Sequence, residues 1–377
     1  MYSISKLEKN SNYLKIVWND GEESRFNYLW LRDNCPTAHD KDSRHRMFNI
    51  LSVSPNINPK NYNVGTNGSL EIEWSEGDHK SSYNPTWLRE NCYTIKNKTE
   101  YISPYKLWNS SLQNNLKSIE INHDEIINSE EGLVKWLELL HNTGIAIVKN
   151  APTEKNSAFK VLNRISHTRE TFFKTPFEVI NIPKPNNSAY TAHALRNHMD
   201  LPWFELPPGY QFLHCLVNDA EGGSSTAVDG FAVANFLKKY HSKKFELLSN
   251  NDVVFKDNDF TQKNIRIQKS PIIKTNKHND IEEIRINLGA MGTLDIDPKI
   301  MNKFYDAYTL FYKQLHSKKF QIEFKLKAGD IFCFDNRRIL HGRKEFDPNS
   351  GNRHLQGYYI EKEEIKSKLN YLNKIKF

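Results

Sequence analysis

A metal site is the first chemistry that the side chains of this sequence suggest. His198 and Asp200 are two residues apart, so at the edge of a β-strand both side chains would face the same way. His341 comes much later, and a fold that pairs distant strands could bring it to the other two. Two imidazoles and one carboxylate leave coordination positions open, which suits non-haem Fe(II) that binds oxygen and a co-substrate. A similar triplet, His278-Asn-Asp280, lies in a polar run and is predicted to be an exposed loop.

An arginine and a serine are candidates for holding that co-substrate. Arg353 stands at the entry to a predicted strand, where a buried guanidinium would offer a planar pair of donors to a carboxylate. Ser225 lies in a Gly-Gly-Ser-Ser run and could reach the co-substrate, although a turn that needs a small polar residue explains it about as well. His214 and His354 are assigned to structural roles, because strand alternation and crowding beside the core explain them.

The amino-terminal part of the chain contains a diverged duplication. Trp18 and a later Trp30-Leu-Arg segment recur as Trp74 and a Trp87-Leu-Arg segment. Each copy is predicted to form a strand, a tight turn and a second short strand ahead of its Trp-Leu-Arg segment. This pattern predicts a small β-rich domain over residues 1–105.

The remaining residues, 117–377, are predicted to form a jelly-roll domain with helices around it. Many short apolar strands separated by turns are typical of such a barrel. A capped helix is predicted over 129–141, and the polar stretch 269–280 is predicted to be a solvated loop. Strands are predicted at 210–217, 224–228, 283–288, 320–326, 330–334 and 355–360, and helices at 231–240 and 300–316. The fold class is therefore α+β and mainly β, with a double-stranded β-helix as the larger domain.

Ordered blocks along nearly the whole chain carry a resemblance to a known family. They are Trp30-Leu-Arg-Asp-Asn-Cys-Pro36, Pro208-Gly-Tyr-Gln-Phe-Leu-His-Cys215, Glu221-Gly-Gly-Ser-Ser-Thr-Ala-Val-Asp-Gly230, Phe334-Asp-Asn-Arg-Arg-Ile-Leu-His-Gly-Arg343 and Arg353-His-Leu-Gln-Gly-Tyr-Tyr359. With the metal constellation, these blocks resemble the Fe(II)- and 2-oxoglutarate-dependent oxygenases. The branch that matches best is the taurine dioxygenase-like one containing γ-butyrobetaine hydroxylase and trimethyllysine hydroxylase.

The resemblance implies a ligand set and a reaction. It implies that His198, Asp200 and His341 bind Fe(II), and that Arg353 binds the tail carboxylate of 2-oxoglutarate. The reaction would be hydroxylation of an unactivated C–H bond, with succinate and CO2 as co-products.

The resemblance also points to substrate-binding residues. In the family, an aromatic cage holds a trimethylammonium group through cation–π contacts. The matching positions here are Phe173, Phe177, Tyr190 and Tyr359. Two electron-rich rings of the family, a tyrosine and a tryptophan, are phenylalanine in this chain. The rings could still hold a quaternary ammonium, they could form an apolar pocket for an uncharged molecule, or the two phenylalanines could belong to the core. Asn187 matches an asparagine near the substrate carboxylate, whereas a second asparagine is replaced by Gly289.

These departures leave more than one function open. The leading prediction is an enzyme that hydroxylates a small amine or betaine-type metabolite. The alternatives are the same chemistry on an aminophosphonate or another uncharged or anionic small molecule, and a catalytically silent jelly-roll binding protein. A silent protein would have lost an iron ligand or the arginine, and this chain keeps all four.

A zinc site found in relatives is degenerate in this chain. The relatives bind zinc in the amino-terminal unit through three cysteines and a histidine, and the matching positions here are Cys35, Thr37, Asp40 and His79. Asp40 or the adjacent His39 could join Cys35 and His79, but structural zinc strongly favours thiolate-rich sites. Retained zinc is therefore not expected.

Composition excludes several other classes of protein. The chain has 377 residues, of which 38% are hydrophobic and 26% charged, so a disordered or fibrous protein is excluded. The net charge of +7 is spread along the chain, which argues against a nucleic-acid partner. No membrane span or secretory signal is expected, and four widely separated cysteines fit a cytoplasmic protein. The amphipathic segment 361–377 is predicted to dock within the monomer or in a homodimer.

Overall fold

The computed structural model describes residues 2–95, 105–180, 191–260 and 262–373, and the chain divides into two compact units. The first unit is Met1–Ser103 and the second is Pro104–Phe377. Within the described residues, no helix is both long and apolar enough to cross a membrane.

The first unit is built from two similar three-stranded antiparallel sheets, one from each copy of the duplication. In each copy a buried tryptophan donates its indole N–H to a serine hydroxyl, from Trp18 to Ser24 at 2.7 Å and from Trp74 to Ser81 at 2.8 Å. Both tryptophans belong to one hydrophobic core. Its strands are β1 (Ile4–Lys9), β2 (Tyr13–Trp18), β3 (Glu23–Asn27), β4 (Pro59–Val64), β5 (Leu70–Trp74) and β6 (Lys80–Tyr83), and its α-helices are α1 (Tyr28–Asp33) and α2 (Pro85–Glu90).

The second unit is mostly β-sheet with helices packed on it. Its strands are β7 (Glu120–Asn122), β8 (Ile145–Lys149), β9 (Phe177–Ile180), β10 (Leu195–His198), β11 (Tyr210–Asn218), β12 (Ser225–Asp229), β13 (Asp252–Asp259), β14 (Asn264–Pro271), β15 (Ile273–Thr275), β16 (Ile281–Ile284), β17 (Gln321–Phe324), β18 (Ile331–Asp335), β19 (Ile339–Arg343) and β20 (Arg353–Ile360). Its α-helices are α3 (His123–Asn128), α4 (Glu130–Thr143), α5 (Phe159–Leu162), α6 (Gly230–Tyr240), α7 (Ser242–Asn250), α8 (Met301–Leu315) and α9 (Lys362–Leu372).

Two sheets pack face to face in this unit. The six-stranded sheet has the order β7-β8-β18-β11-β20-β9, and the four-stranded sheet has the order β10-β19-β12-β17. Apolar side chains from both sheets meet in one cluster, for example Phe332 and Leu355 with Ala227 and Ile339. This arrangement of mixed α/β structure dominated by sheets is consistent with the predicted jelly roll.

Helices cover the outer face of the six-stranded sheet. The helix α4 begins at a Ser129 N-cap, whose hydroxyl accepts a hydrogen bond from the Gly132 N–H at 2.9 Å. It packs with the carboxyl-terminal helix α9, whose Ile365 and Leu369 are buried in the same core as Trp136. The described part of the predicted docking segment therefore packs its apolar side chains, through Leu372, against its own chain.

A buried ion pair joins the strand that leads to His341 to the rest of the unit. Arg338 donates two hydrogen bonds to Asp229, at 2.8 and 3.1 Å, and both side chains are fully buried. The guanidinium also donates to the carbonyls of Asn142 and Lys106. Since Asp229 also caps α6, this pair joins the end of β12, the start of α6, the last turn of α4 and the segment around Lys106.

We expect Asp229→Asn to destabilise the protein strongly. The amide keeps the oxygen that caps α6 but removes the charge that compensates Arg338, and breaking a buried pair costs about 3–5 kcal/mol. Urea unfolding measures the loss. The control is Asp306→Asn, which removes an exposed partner of Lys244 and is expected to cost about 1 kcal/mol or less. Equal stability of the two variants would contradict this role of the buried pair.

Candidate active site

Two histidines and an aspartate converge at the edge of the four-stranded sheet. The antiparallel pairing of β10 with β19 places His198 directly opposite His341, and the two ring centroids are 4.4 Å apart. Asp200 follows the end of β10, with its Oδ1 3.2 Å from His198 Nε2 and 3.9 Å from His341 Nε2. These side chains form the one cluster of potential metal ligands found among the described residues. The structure thus brings together the three residues that the sequence singled out.

The backbone of Asp200 is fixed by a buried amide. The Oδ1 of Asn336 accepts a hydrogen bond from the Asp200 N–H at 2.9 Å, and its Nδ2 donates to the Asp200 carbonyl at 3.1 Å. The same Nδ2 also donates to the carbonyl of Pro208 at 3.2 Å. Asn336 is fully buried in the turn between β18 and β19, so it holds Asp200 against the strand that carries His341.

The hydrogen bonds of His198 make its Nε2 a donor atom for a metal. The ring Nδ1 lies 2.8 Å from the Arg196 carbonyl, which can only accept, so this nitrogen carries a proton. In the neutral ring, the Nε2 lone pair therefore faces an Asp200 oxygen, and a cation between them would satisfy both. A metal-bound histidine commonly donates its other N–H to a backbone carbonyl in this way.

The electrostatics of the cluster also fit a cation. Burial alone would raise the pKa of Asp200, but without a metal the hydrogen bond that a protonated His198 donates, together with the neighbouring imidazoles, holds this pKa well below its usual range. Burial and the adjacent His198 lower the pKa of His341 to about 3. At neutral pH the site therefore offers a carboxylate and a neutral imidazole. This donor set fits Fe(II) with open coordination positions.

Two arginines line a small cavity beside this cluster. Burial lowers the pKa of Arg353 to about 10, and its buried Nε has no hydrogen-bond partner among the described residues. Burial and the charge of Arg353 lower the pKa of Arg343 to about 9, and Arg343 also donates to the carbonyls of Thr191 and His193. Ser225 lines the same cavity. A bound carboxylate would therefore relieve the desolvation of Arg353.

A larger cavity, of about 350 Å³, opens next to His198 and Asp200. Phe173, Phe177 and Tyr359 line it, and the last two rings are stacked with centroids 5.1 Å apart. Its volume falls in the range of small-molecule sites. The other two residues predicted to bind substrate, Asn187 and Tyr190, lie outside the described residues. Gly289 lines this cavity as well.

Sequence reasoning missed several residues that line these cavities. Trp203 and Lys256 line the larger one. Gln211 lines the smaller one, with a buried Oε1 that has no partner among the described residues. An aromatic residue so soon after Asp200 could have signalled Trp203. No motif marks Lys256, because it reaches the cavity on the β13–β14 hairpin.

The amino-terminal unit brings together three of the four positions that match zinc ligands in relatives, but one of the three is a threonine. The Sγ of Cys35 lies 3.3 Å from His79 Nε2 and 3.0 Å from the Thr37 hydroxyl. Asp40 instead accepts hydrogen bonds from the backbone and hydroxyl of Ser43, at 2.8 and 2.7 Å. These donors do not fit a four-ligand structural zinc site. The absence of zinc stays a prediction, which metal analysis of the purified chain can test.

Comparisons with known proteins place this site in a family. The family model described as "Taurine catabolism dioxygenase TauD, TfdA family" matches residues 108–359, and "Gamma-butyrobetaine hydroxylase-like, N-terminal" matches residues 5–89. The gamma-butyrobetaine dioxygenase of Pseudomonas sp. (strain AK-1) is 35% identical over 98% of this chain and 97% of its own length. The Homo sapiens protein of the same name is 29% identical over 98% of this chain and 97% of its own. The mitochondrial trimethyllysine dioxygenase of Rattus norvegicus is 30% identical over 97% of this chain and 89% of its own.

A solved structure agrees with these matches at the level of the fold. It comes from Burkholderia xenovorans and is named, provisionally, an alpha-ketoglutarate-dependent taurine dioxygenase. The TM-score is 0.50 at 12% identity, over 64% of this chain and 89% of the other.

The chain therefore belongs to the TauD, TfdA family of dioxygenases, which confirms the resemblance predicted from the sequence. It is a 2-oxoglutarate-dependent non-haem iron dioxygenase, with Fe(II) and 2-oxoglutarate as cofactor and co-substrate.

We expect Asn336→Ala to lower both the free energy of unfolding and the affinity of the site for Fe(II). The change leaves the Asp200 N–H and carbonyl without their partner, and each unsatisfied buried group costs about 1–3 kcal/mol. Urea unfolding and anaerobic Fe(II) titration measure the two effects. Asn109→Ala is the control, because Asn109 is exposed and caps the 3-10 helix Ser110–Ile119, and loss of such a cap costs about 1 kcal/mol. Unchanged Fe(II) affinity in Asn336→Ala would contradict the role given to this amide.

Proposed function

We propose that this protein hydroxylates an unactivated C–H bond of a small amine or betaine-type metabolite. In this proposal His198, Asp200 and His341 bind the Fe(II), and Arg353 binds the distal carboxylate of 2-oxoglutarate. The observation that carries the proposal is the cross-strand pairing of His198 with His341 beside Asp200. The names of the curated relatives support the same class of substrate.

Each residue of the site has a separate task in this reaction. With oxygen and 2-oxoglutarate, bound Fe(II) supplies the oxidant that converts C–H to C–OH, while 2-oxoglutarate becomes succinate and CO2. The Nε2 atoms of His198 and His341 and one oxygen of Asp200 would hold the metal. Arg353 orients the co-substrate with a charge-assisted pair of hydrogen bonds, and Ser225 can add a hydroxyl contact. Phe177 and the other aromatic residues orient the substrate carbon and exclude water from the site.

The larger cavity has one side suited to a cation. The stacked rings of Phe177 and Tyr359, with Phe173 nearby, offer π faces to a methylated ammonium group. Trp203 adds an indole, the ring type that binds cations best. This indole compensates for the electron-rich rings that are phenylalanine at the matching family positions.

The same cavity has one candidate group for an anion. Lys256 is exposed and lines the cavity, and its ammonium group makes no hydrogen bond or ion pair with another described residue. The neighbouring Asp257 is already paired with Arg266 at 2.9 Å. A substrate with a positive end on the rings and a carboxylate or phosphonate near Lys256 fits this distribution of charge. Because the Lys256 ammonium could bind a phosphonate, an aminophosphonate is the second candidate substrate.

Further parts of the proposal concern the whole chain. We assign residues 1–105 to a small β-rich domain and residues 117–377 to a double-stranded β-helix (jelly-roll) oxygenase domain. We also propose a cytoplasmic homodimer that acts on a small molecule and binds neither nucleic acid nor membrane. Gel filtration with light scattering tests the dimer.

The activity can be tested by substrate-stimulated release of succinate. Purified protein with Fe(II) and 2-oxoglutarate is assayed against γ-butyrobetaine, other betaines, methylated lysines and aminophosphonates. We expect at least one of them to stimulate turnover and His341→Ala to abolish it, since a metal ligand is lost. His278→Ala alters the exposed His-x-Asp triplet and should leave turnover intact. An enzyme that no compound in the panel stimulates would contradict the proposal.

We expect Lys256→Met to weaken binding of an acidic substrate selectively. Loss of one charge-assisted contact should raise KM by about tenfold or more and leave kcat almost unchanged, since Lys256 is not one of the proposed metal ligands. Steady-state kinetics on the best compound of the panel measure this change. Lys274→Met is the matched control, because Lys274 is an exposed lysine on β15 that lines neither cavity. Equal KM values for the two variants would show that Lys256 does not bind the substrate.

A further inference from the structure

The two oxygens of the Asp200 carboxylate have different partners. Oδ1 faces the imidazoles of His198 and His341, whereas Oδ2 accepts a hydrogen bond from the Tyr359 hydroxyl at 2.8 Å. Tyr359 is almost fully buried on the strand β20. Tyr359 therefore contacts a potential metal ligand through its hydroxyl and lines the larger cavity with its ring.

A glycine makes the position of this tyrosine possible. Gly357 is opposite Phe177 in the β9–β20 pairing, and a Cβ built on it would lie 2.0 Å from the Cζ of Phe177. Without that Cβ, the Phe177 ring lies over the strand and stacks on Tyr359, with an interplanar angle of 25°. Gly357 thus seats Phe177, and Phe177 in turn supports the ring that carries the hydroxyl.

We propose that Tyr359 is a positioning residue that holds Asp200 with a single oxygen toward the metal, in a seat that Gly357 and Phe177 provide. The inference rests on the proposed function, because it takes Asp200 as an iron ligand. The carboxylate could otherwise turn and bind the metal with both oxygens, which would occupy a coordination position. A hydrogen bond to Oδ2 competes with that second bond, and partners of this kind orient metal ligands in many proteins.

The first test compares two tyrosines on the same strand. Tyr359→Phe keeps the ring and removes the hydroxyl that contacts Asp200. We expect it to weaken anaerobic Fe(II) binding by roughly 10- to 100-fold, the usual effect of losing such a partner. Visible absorption of the Co(II)-substituted protein gives a second readout, because the spectrum changes with coordination number.

Tyr358→Phe is the matched control for loss of a buried hydroxyl. The Tyr358 hydroxyl donates to Gln356 at 3.1 Å, and its ring packs against Phe159 rather than beside the metal cluster. We expect Fe(II) affinity and the Co(II) spectrum to match those of the wild type. Unchanged metal affinity in Tyr359→Phe would overturn the inference and would leave Tyr359 as a pocket ring only.

A double-mutant cycle tests the seat. Gly357→Ala displaces the Phe177 ring but keeps every hydroxyl, so we expect weaker Fe(II) binding through a misplaced Tyr359. Combined with Tyr359→Phe, it should cost little more than Tyr359→Phe alone, because both changes break the same contact. Fully additive losses of Fe(II) affinity would contradict the claim that Gly357 and Phe177 position Tyr359. A wild-type chain that binds no Fe(II) would overturn the proposed function itself, a result distinct from either of these.

Discussion

The antiparallel register between β10 and β19 is the constraint on which the site depends. It sets His198 opposite His341, and a slip of one residue would turn one of the imidazoles to the other face of the sheet. The pairing of these strands is short, so contacts outside it must fix the register. Asn336 grips the Asp200 backbone, and the buried pair of Arg338 with Asp229 anchors the start of β19. Both contacts come from the turn that connects β18 to β19.

The chemistry of the site depends on the two cavities that adjoin the paired histidines. Burial of the Arg353 guanidinium beside the smaller cavity favours a bound carboxylate, which we propose is that of 2-oxoglutarate. The stacked rings of Phe177 and Tyr359 and the exposed Lys256 line the larger cavity, where we propose that they bind the two ends of a charged substrate. Tyr359 connects the larger cavity to the proposed metal ligands, because its ring lines that cavity and its hydroxyl contacts Asp200. The fold therefore places the residues proposed to bind co-substrate, metal and substrate around two cavities that share His198 and Asp200.

Much of this arrangement could be predicted from the sequence, and the failures have physical reasons. The helix expected over 129–141 is confirmed as α4, since its cap and its apolar spacing are local signals. The solvated loop expected over 269–280 is wrong, because part of it forms β14 and β15, where pairing with neighbouring strands outweighs polar composition. His198, Asp200 and His341 were found through their residue types and spacing. Lys256 and Gly357 could not be found in this way. A hairpin brings Lys256 to the cavity, and Gly357 matters because Phe177 lies against it on the paired strand.

The most direct test of this account is an anaerobic crystal structure with Fe(II), read by anomalous scattering at the iron absorption edge. The account predicts one iron peak per chain, with His198 Nε2, Asp200 Oδ1 and His341 Nε2 each within about 2.2 Å of it. An iron peak elsewhere in the chain, or one that lacks any of these three atoms, would contradict the assignment of the site.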